Sequence, residues 1–120
     1  MCPDVTLAPA TLARIKRVVP ISPLGDLRPL IDTSMNETLR LTDETAVAES
    51  PTLGKPRMID CEIWVGEAER PAFVTQAQEL HQAWPASRLV IDEGRHHFDI
   101  IDALEQPHSR LTNALVKGLI

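Results

Sequence analysis

The chain has 120 residues, 12 Lys+Arg against 17 Asp+Glu, 43% hydrophobic residues and only 3% aromatic ones. That length fits one small domain, and the composition is too apolar for a disordered chain. A net charge of −5 argues against a nucleic-acid partner, which needs clustered Lys and Arg, and apolar runs only a few residues long argue against a membrane span.

Met1-Cys2-Pro3-Asp4 shows no basic region ahead of an apolar stretch, so no signal peptide is expected. Two cysteines, Cys2 and Cys61, make no disulfide framework, and a reducing cytoplasm is the expected compartment. Ala10 to Ala13 can close a short helix. Ile15 to Ile21 reads as a first strand, with Val18-Val19 at its centre and Pro20 near its end. Ser22-Pro23-Leu24-Gly25-Asp26 is turn-rich, and Asp26 suits the N-cap of a helical turn, Leu27 to Ile31. Asp32 to Arg40 reads as a polar loop. Thr42 is placed to cap a helix over Asp43 to Glu49, whose first turn is acidic, and Pro51 stops it.

Cys61 to Val65 is the second strand. Its contiguous Ile63, Trp64 and Val65 predict burial on both faces, as in a parallel sheet. Gly66 to Arg70 is a turn, and Pro71 suits the first position of a helix. Phe73, Ala77, Leu80 and Trp84 form its apolar stripe, and Pro85 ends it. Arg88 to Ile91 is the third strand, Asp92 to His97 a turn, and Phe98 to Leu104 a short helix. Ser109 to Leu119 is a last helix with Leu111, Leu115 and Leu119 on one face. The alternation predicts an α/β fold of about three parallel strands alternating with helices, a single domain over 1–120 that is small for its class and incomplete.

Sites in open parallel sheets form beyond the carboxyl ends of the strands. Three segments fall there: Ser22 to Asp26, Gly66 to Arg70 with Glu67 and Glu69, and Asp92 to His97 with His96 and His97. A carboxylate after one strand and a His after the next can form the acid–base half of a nucleophile–His–acid triad. Taken singly, such a Glu is usually a solvated charge and such a His a surface residue.

Three motifs add a resemblance. Gly66-Glu67-Ala68-Glu69-Arg70-Pro71-Ala72-Phe73, followed by Gln76, resembles the acid segment of arylformamidase-like α/β-hydrolases. Gly94-Arg95-His96-His97-Phe98 with Ile100-Ile101 resembles their histidine segment. Val19 to Leu30, with Thr33, Asn36, Leu39-Arg40-Leu41 and Ser50-Pro51, resembles their strand-to-cap connection. The similarity runs from about Arg14 to Leu115.

The resemblance implies a partial α/β-hydrolase fold, the portion after the nucleophile helix. It implies Glu69 as triad acid and His97 as general base, with no cofactor and no metal. The family more often has Asp at the acid; Glu67 is the weaker alternative, and His96 is expected to shape the loop. The nucleophile elbow Gly-x-Ser-x-Gly and the oxyanion motif His-Gly-Gly are not in this sequence. Ser22 sits at a strand end, but the next residue, Pro23, has no N–H for an oxyanion hole. Ser34 and Ser50 lack a strand–turn–helix context, Cys61 begins a strand on the far rim, and Cys2 is near a terminus. The expected partners are a small-molecule ester or amide, if the site is completed, and either a second copy or a complementary N-terminal half. The alternatives are a non-catalytic truncated remnant and a binding or scaffold protein. Metal binding by adjacent His96 and His97 is discounted, since such neighbours splay apart.

Overall fold

A computed structural model describes residues 6–117. Three parallel strands, β1 (Arg17–Val18), β2 (Asp60–Gly66) and β3 (Arg88–Asp92), form one sheet in the order β1-β2-β3. Arg17 pairs with Asp60 and Val18 with Cys61; Glu62 to Gly66 pair in register with Arg88 to Asp92. Five helices accompany them: α1 (Pro9–Leu12), α2 (Asn36–Leu39), α3 (Asp43–Glu49), α4 (Pro71–Ala83) and α5 (Arg110–Val116). Among the described residues no helix is long and apolar enough to cross a membrane.

The contiguous apolar run of β2 is explained by its two covered faces. Cys61, Ile63 and Val65 pack with Ala77 and Leu80 of α4, joined by Phe73, Val74, Trp84 and Leu89. Trp64 faces the other way and packs with Leu111 and Ala114 of α5. The α4 stripe lands as its spacing predicts, with Pro71 at the first turn. Thr42 caps α3, its hydroxyl accepting the Thr45 N–H while the Thr45 hydroxyl accepts the Thr42 N–H.

Four elements differ from the sequence reading. The expected strand Ile15–Ile21 pairs only at Arg17–Val18, with one further bridge from Ile21 to Trp64. Pro20 has no N–H to donate, and the Ile15 N–H is taken by Leu12 O in the turn after α1. The polar stretch 32–40 contains α2. Its end is fixed by Arg40 at φ 53° and by the Asn36 side chain, which bonds both the N–H and the carbonyl of Leu41. Where a helix over 98–104 was expected, turns lead to a 3₁₀ helix at Asp102–Glu105. The segment 27–31 is also 3₁₀, at Arg28–Leu30, and Asp26 accepts the Arg28 N–H rather than capping an α-helix. The Ser109 side chain caps α5 through Thr112 N–H. Cys2 and Leu119 lie outside the described residues.

Candidate functional site

The carboxyl ends of β2 and β3 carry the two loops singled out in sequence. The strands are adjacent and in register up to the Gly66–Asp92 pair, so the loops leave on one rim. They are then tied to each other: Glu67 N–H donates to Asp92 O, and Ala68 N–H to Arg95 O, each at 2.9 Å. Gly66 is needed at this crossing, because a Cβ there would overlap the Arg95 carbonyl. Gly94 turns the second loop with φ 70°, a region that glycine enters without strain.

This arrangement brings Glu69 and His97 together. His97 Nδ1 lies 2.9 Å from Glu69 Oε2. The Glu69 side chain is fully buried, while the His97 side chain is 43% exposed. The His97 ring stacks on Phe73, with centroids 4.5 Å apart, and meets Phe98 edge-on at 5.5 Å. An ionised Glu69 accepts the Nδ1 proton, which leaves Nε2 as the basic nitrogen of the neutral ring. A cavity of about 360 Å³ opens beside the pair, lined by Ala68, Arg70, Phe73, His96 and Phe98.

The other candidates go elsewhere. The Glu67 carboxylate accepts the Gly94 N–H at 3.1 Å and so holds the loop rather than the imidazole. The His96 ring accepts the Phe98 N–H, and the main-chain N–H of His96 donates to the Asp99 carboxylate. The larger groove, about 610 Å³, opens at the opposite end of the strands among Arg17, Asp60, Trp64, Arg88 and Arg110. Four of its charged side chains are committed to one another through the Arg17–Asp60–Arg88–Glu62 network, and Arg110 lies over the Trp64 ring. Among the described residues no cluster of three or more His, Cys, Asp or Glu could hold a metal ion.

Two polar residues were not legible in these roles from sequence. Ser22 donates its hydroxyl to Glu69 Oε1 at 2.5 Å. It does so from φ 47°, a left-handed conformation that costs a non-glycine residue roughly 1–2 kcal/mol. Buried Gln76 on α4 clamps the loop beyond Ser22. Its carbonyl oxygen accepts the Gly25 and Asp26 N–H groups, and its amide donates to Asp26 O. Gln76→Leu leaves three buried backbone groups without a partner, each worth about 1–3 kcal/mol. The expected loss is roughly 3 kcal/mol, read from urea unfolding, with the Ser22 loop displaced.

Burial pushes the Glu69 carboxyl up, but hydrogen bonds from Ser22, Gly66 N–H and His97, with the charge of His97, outweigh it and hold it below the usual range. Hydrogen bonds from Arg28 hold Asp26 low, and those from Arg17 and Arg88 hold Asp60 low. Each lowered group adds stability that is fully present above its unfolded value, ~4.3 for Glu and ~3.9 for Asp. That stability is lost as pH falls through the lower folded value. The urea midpoint is therefore expected to hold steady down to about pH 5 and to drop below it. Glu69→Gln should remove part of that drop.

No family model matches the sequence. Over 114 residues, 87% of the chain, it is 31% identical to a kynurenine formamidase of Danio rerio. Over 115 residues it is 29% identical to a kynurenine formamidase of Salmo salar. The chain spans 39% of the length of these curated relatives. A crystal structure of a Silicibacter sp. protein, provisionally named a thioesterase, superposes with a TM-score of 0.86 at 48% identity, over 90% of this chain and 41% of that one. These likenesses, with the parallel sheet, define a hydrolase-related chain with a partial α/β fold. More closely, it is a partial homologue of the arylformamidase- and esterase-like hydrolases.

Proposed function

We propose that this chain supplies the acid and the general base of a serine hydrolase that attacks a carboxylic acyl group, with Glu69 as acid and His97 as base. The observation that carries the reading is the 2.9 Å contact between His97 Nδ1 and the buried Glu69 carboxylate on the strand-end rim. Glu69 holds the imidazole in one tautomer and stabilises its charged form. His97 Nε2 takes the proton of a nucleophile and returns it to the leaving group. The names of the relatives point to an amide of formic acid and to a thioester. Both substrates break at an acyl carbonyl, so one acid–base pair serves either. Phe73 and Phe98 beside His97 favour a substrate with a flat, apolar group.

The nucleophile comes from outside the 120 residues, from another polypeptide or a further segment, since the sequence carries no Gly-x-Ser-x-Gly. The test is a chimera in which this chain replaces the matching segment of the Silicibacter sp. protein. Hydrolysis of an aryl ester, an aryl formamide or a thioester that is lost in Glu69→Ala and His97→Ala supports the reading. A folded chimera whose turnover ignores His97 overturns it. The non-catalytic reading would then stand, as a remnant that keeps the fold without the reaction.

A further inference from the structure

We infer that Ser22 is a positioning residue for the acid: its hydroxyl, aimed by a left-handed backbone, ties up one oxygen of Glu69 and reserves the other for His97. This rests on the Glu69–His97 pair being the acid–base half of the site. Ser22 is first pinned by its main chain. Its N–H donates to Trp64 O at 2.7 Å, next to the Ile21–Trp64 bridge and the Trp64 N–H to Pro20 O bond. The chain then turns at φ 47°, and the hydroxyl reaches Glu69 Oε1. That oxygen also accepts the Gly66 N–H at 2.9 Å, while Oε2 receives only His97. The two oxygens are thus unequal, with two fixed donors on one and the imidazole on the other.

A carboxylate turns easily about its last side-chain bond. With Ser22 removed, that oxygen keeps one fixed donor, the Gly66 N–H, and the carboxylate plane is held less firmly toward His97. Glycine would fit φ 47° without strain, so the residue present adds a hydroxyl at a conformational cost. A strained backbone with a side chain committed to a buried charge is the pattern from which a site role is inferred. The other charged and titratable groups lining the cavity are Arg70 at the head of α4 and His96 in the His97 loop, while Glu67, Arg95 and Asp99 of the same loops are engaged with Gly94 N–H and with each other. None of these is hydrogen-bonded to Glu69, so the donors that hold the carboxylate ionised are Ser22, Gly66 and His97.

The experiment is NMR of the labelled 120-residue chain, following the Glu69 carboxyl carbon through an acid titration and the low-field proton on His97 Nδ1. In Ser22→Gly and Ser22→Ala the Glu69 midpoint should rise by about one pH unit. The His97 Nδ1 proton should broaden into exchange with water. Ser22→Gly, free of backbone strain, should melt no lower than Ser22→Ala. An unchanged Glu69 midpoint and an unchanged His97 proton in folded Ser22→Gly overturn the inference. Unfolding of Ser22→Gly also overturns it, since the hydroxyl would then be holding up the fold. His97→Ala separates the two levels of argument. If it leaves the Glu69 midpoint unmoved, the pair itself fails; if it raises the midpoint while the Ser22 variants do not, only the role of Ser22 fails.

Discussion

The 120-residue chain by itself is expected to hydrolyse p-nitrophenyl acetate no faster than free imidazole does, and His97→Ala is expected to leave that rate unchanged. A base at His97 Nε2 would need a nucleophile to deprotonate, and four of the five described serines have their hydroxyls bonded elsewhere. The Ser22 hydroxyl is given to Glu69, and Pro23 after it offers no N–H to a developing oxyanion. Ser50 is buried, donating to Ala46 O and accepting the Leu27 N–H. Ser87 is hydrogen-bonded to His81 just before β3, at the opposite end of the sheet from His97. Ser109 caps α5, and Ser34 is exposed in the turn before α2. Loss of a triad nucleophile lowers kcat on the order of 10⁶-fold. The same His97→Ala change should be silent in the isolated chain and severe in the chimera, and that asymmetry distinguishes an unfinished site from an absent one. Robust turnover by the isolated chain that disappears in His97→Ala would reveal a nucleophile among these residues after all.

Much of the framework was legible because it follows from local rules. Ile63, Trp64 and Val65 in a row announce a strand covered on both sides, and β2 is covered by α4 and α5. Thr42 with acidic neighbours announces a capped helix, and α3 starts there. The order of Glu69 after β2 and His97 after β3 placed them on one rim, as register then brings them to contact. The misses come where a single side chain or backbone group decides, near in sequence or far from it. Asn36 makes a helix of a polar stretch by bonding Leu41, a closure no periodicity reveals. Pro20 shortens β1 to two residues, where Val18-Val19 suggested seven. Ser22 was legible as a strand-end serine, but its partner lies 47 positions away and its φ of 47° is one that a non-glycine residue rarely takes. Gln76 stood out only as part of a motif; its partners, Gly25 and Asp26, lie about fifty positions upstream.

At micromolar concentration the chain is expected to sediment as a dimer or larger species rather than as a monomer. Its accessible surface is 8227 Å², against about 6,400 Å² for a compact monomer of this mass. The excess is larger than the ~800 Å² that each partner contributes to a standard interface. The Cα radius of gyration is 15.2 Å, where about 13.6 Å is usual for this length. Part of the surplus is apolar: Phe98 is 86% exposed and Met58 fully so, and Val18 and Ile91 are part-exposed on the two outer strands. β1 adds an edge whose outer N–H and C=O groups have no strand beside them among the described residues, which is a template for another chain. Arg17 does little to blunt that edge, because its guanidinium is held by Asp60 and by the carbonyls of Ala114 and Lys117. Val18→Lys places a free charge on the edge and should shift sedimentation toward monomer without loss of fold, since Val18 is already exposed. A segment that supplies the neighbouring strand should do the same by occupying the edge, giving a complex of one chain with one segment. A strictly monomeric wild-type chain with a cooperative melt would contradict this, and would mean that the small cores on either side of β2 suffice by themselves.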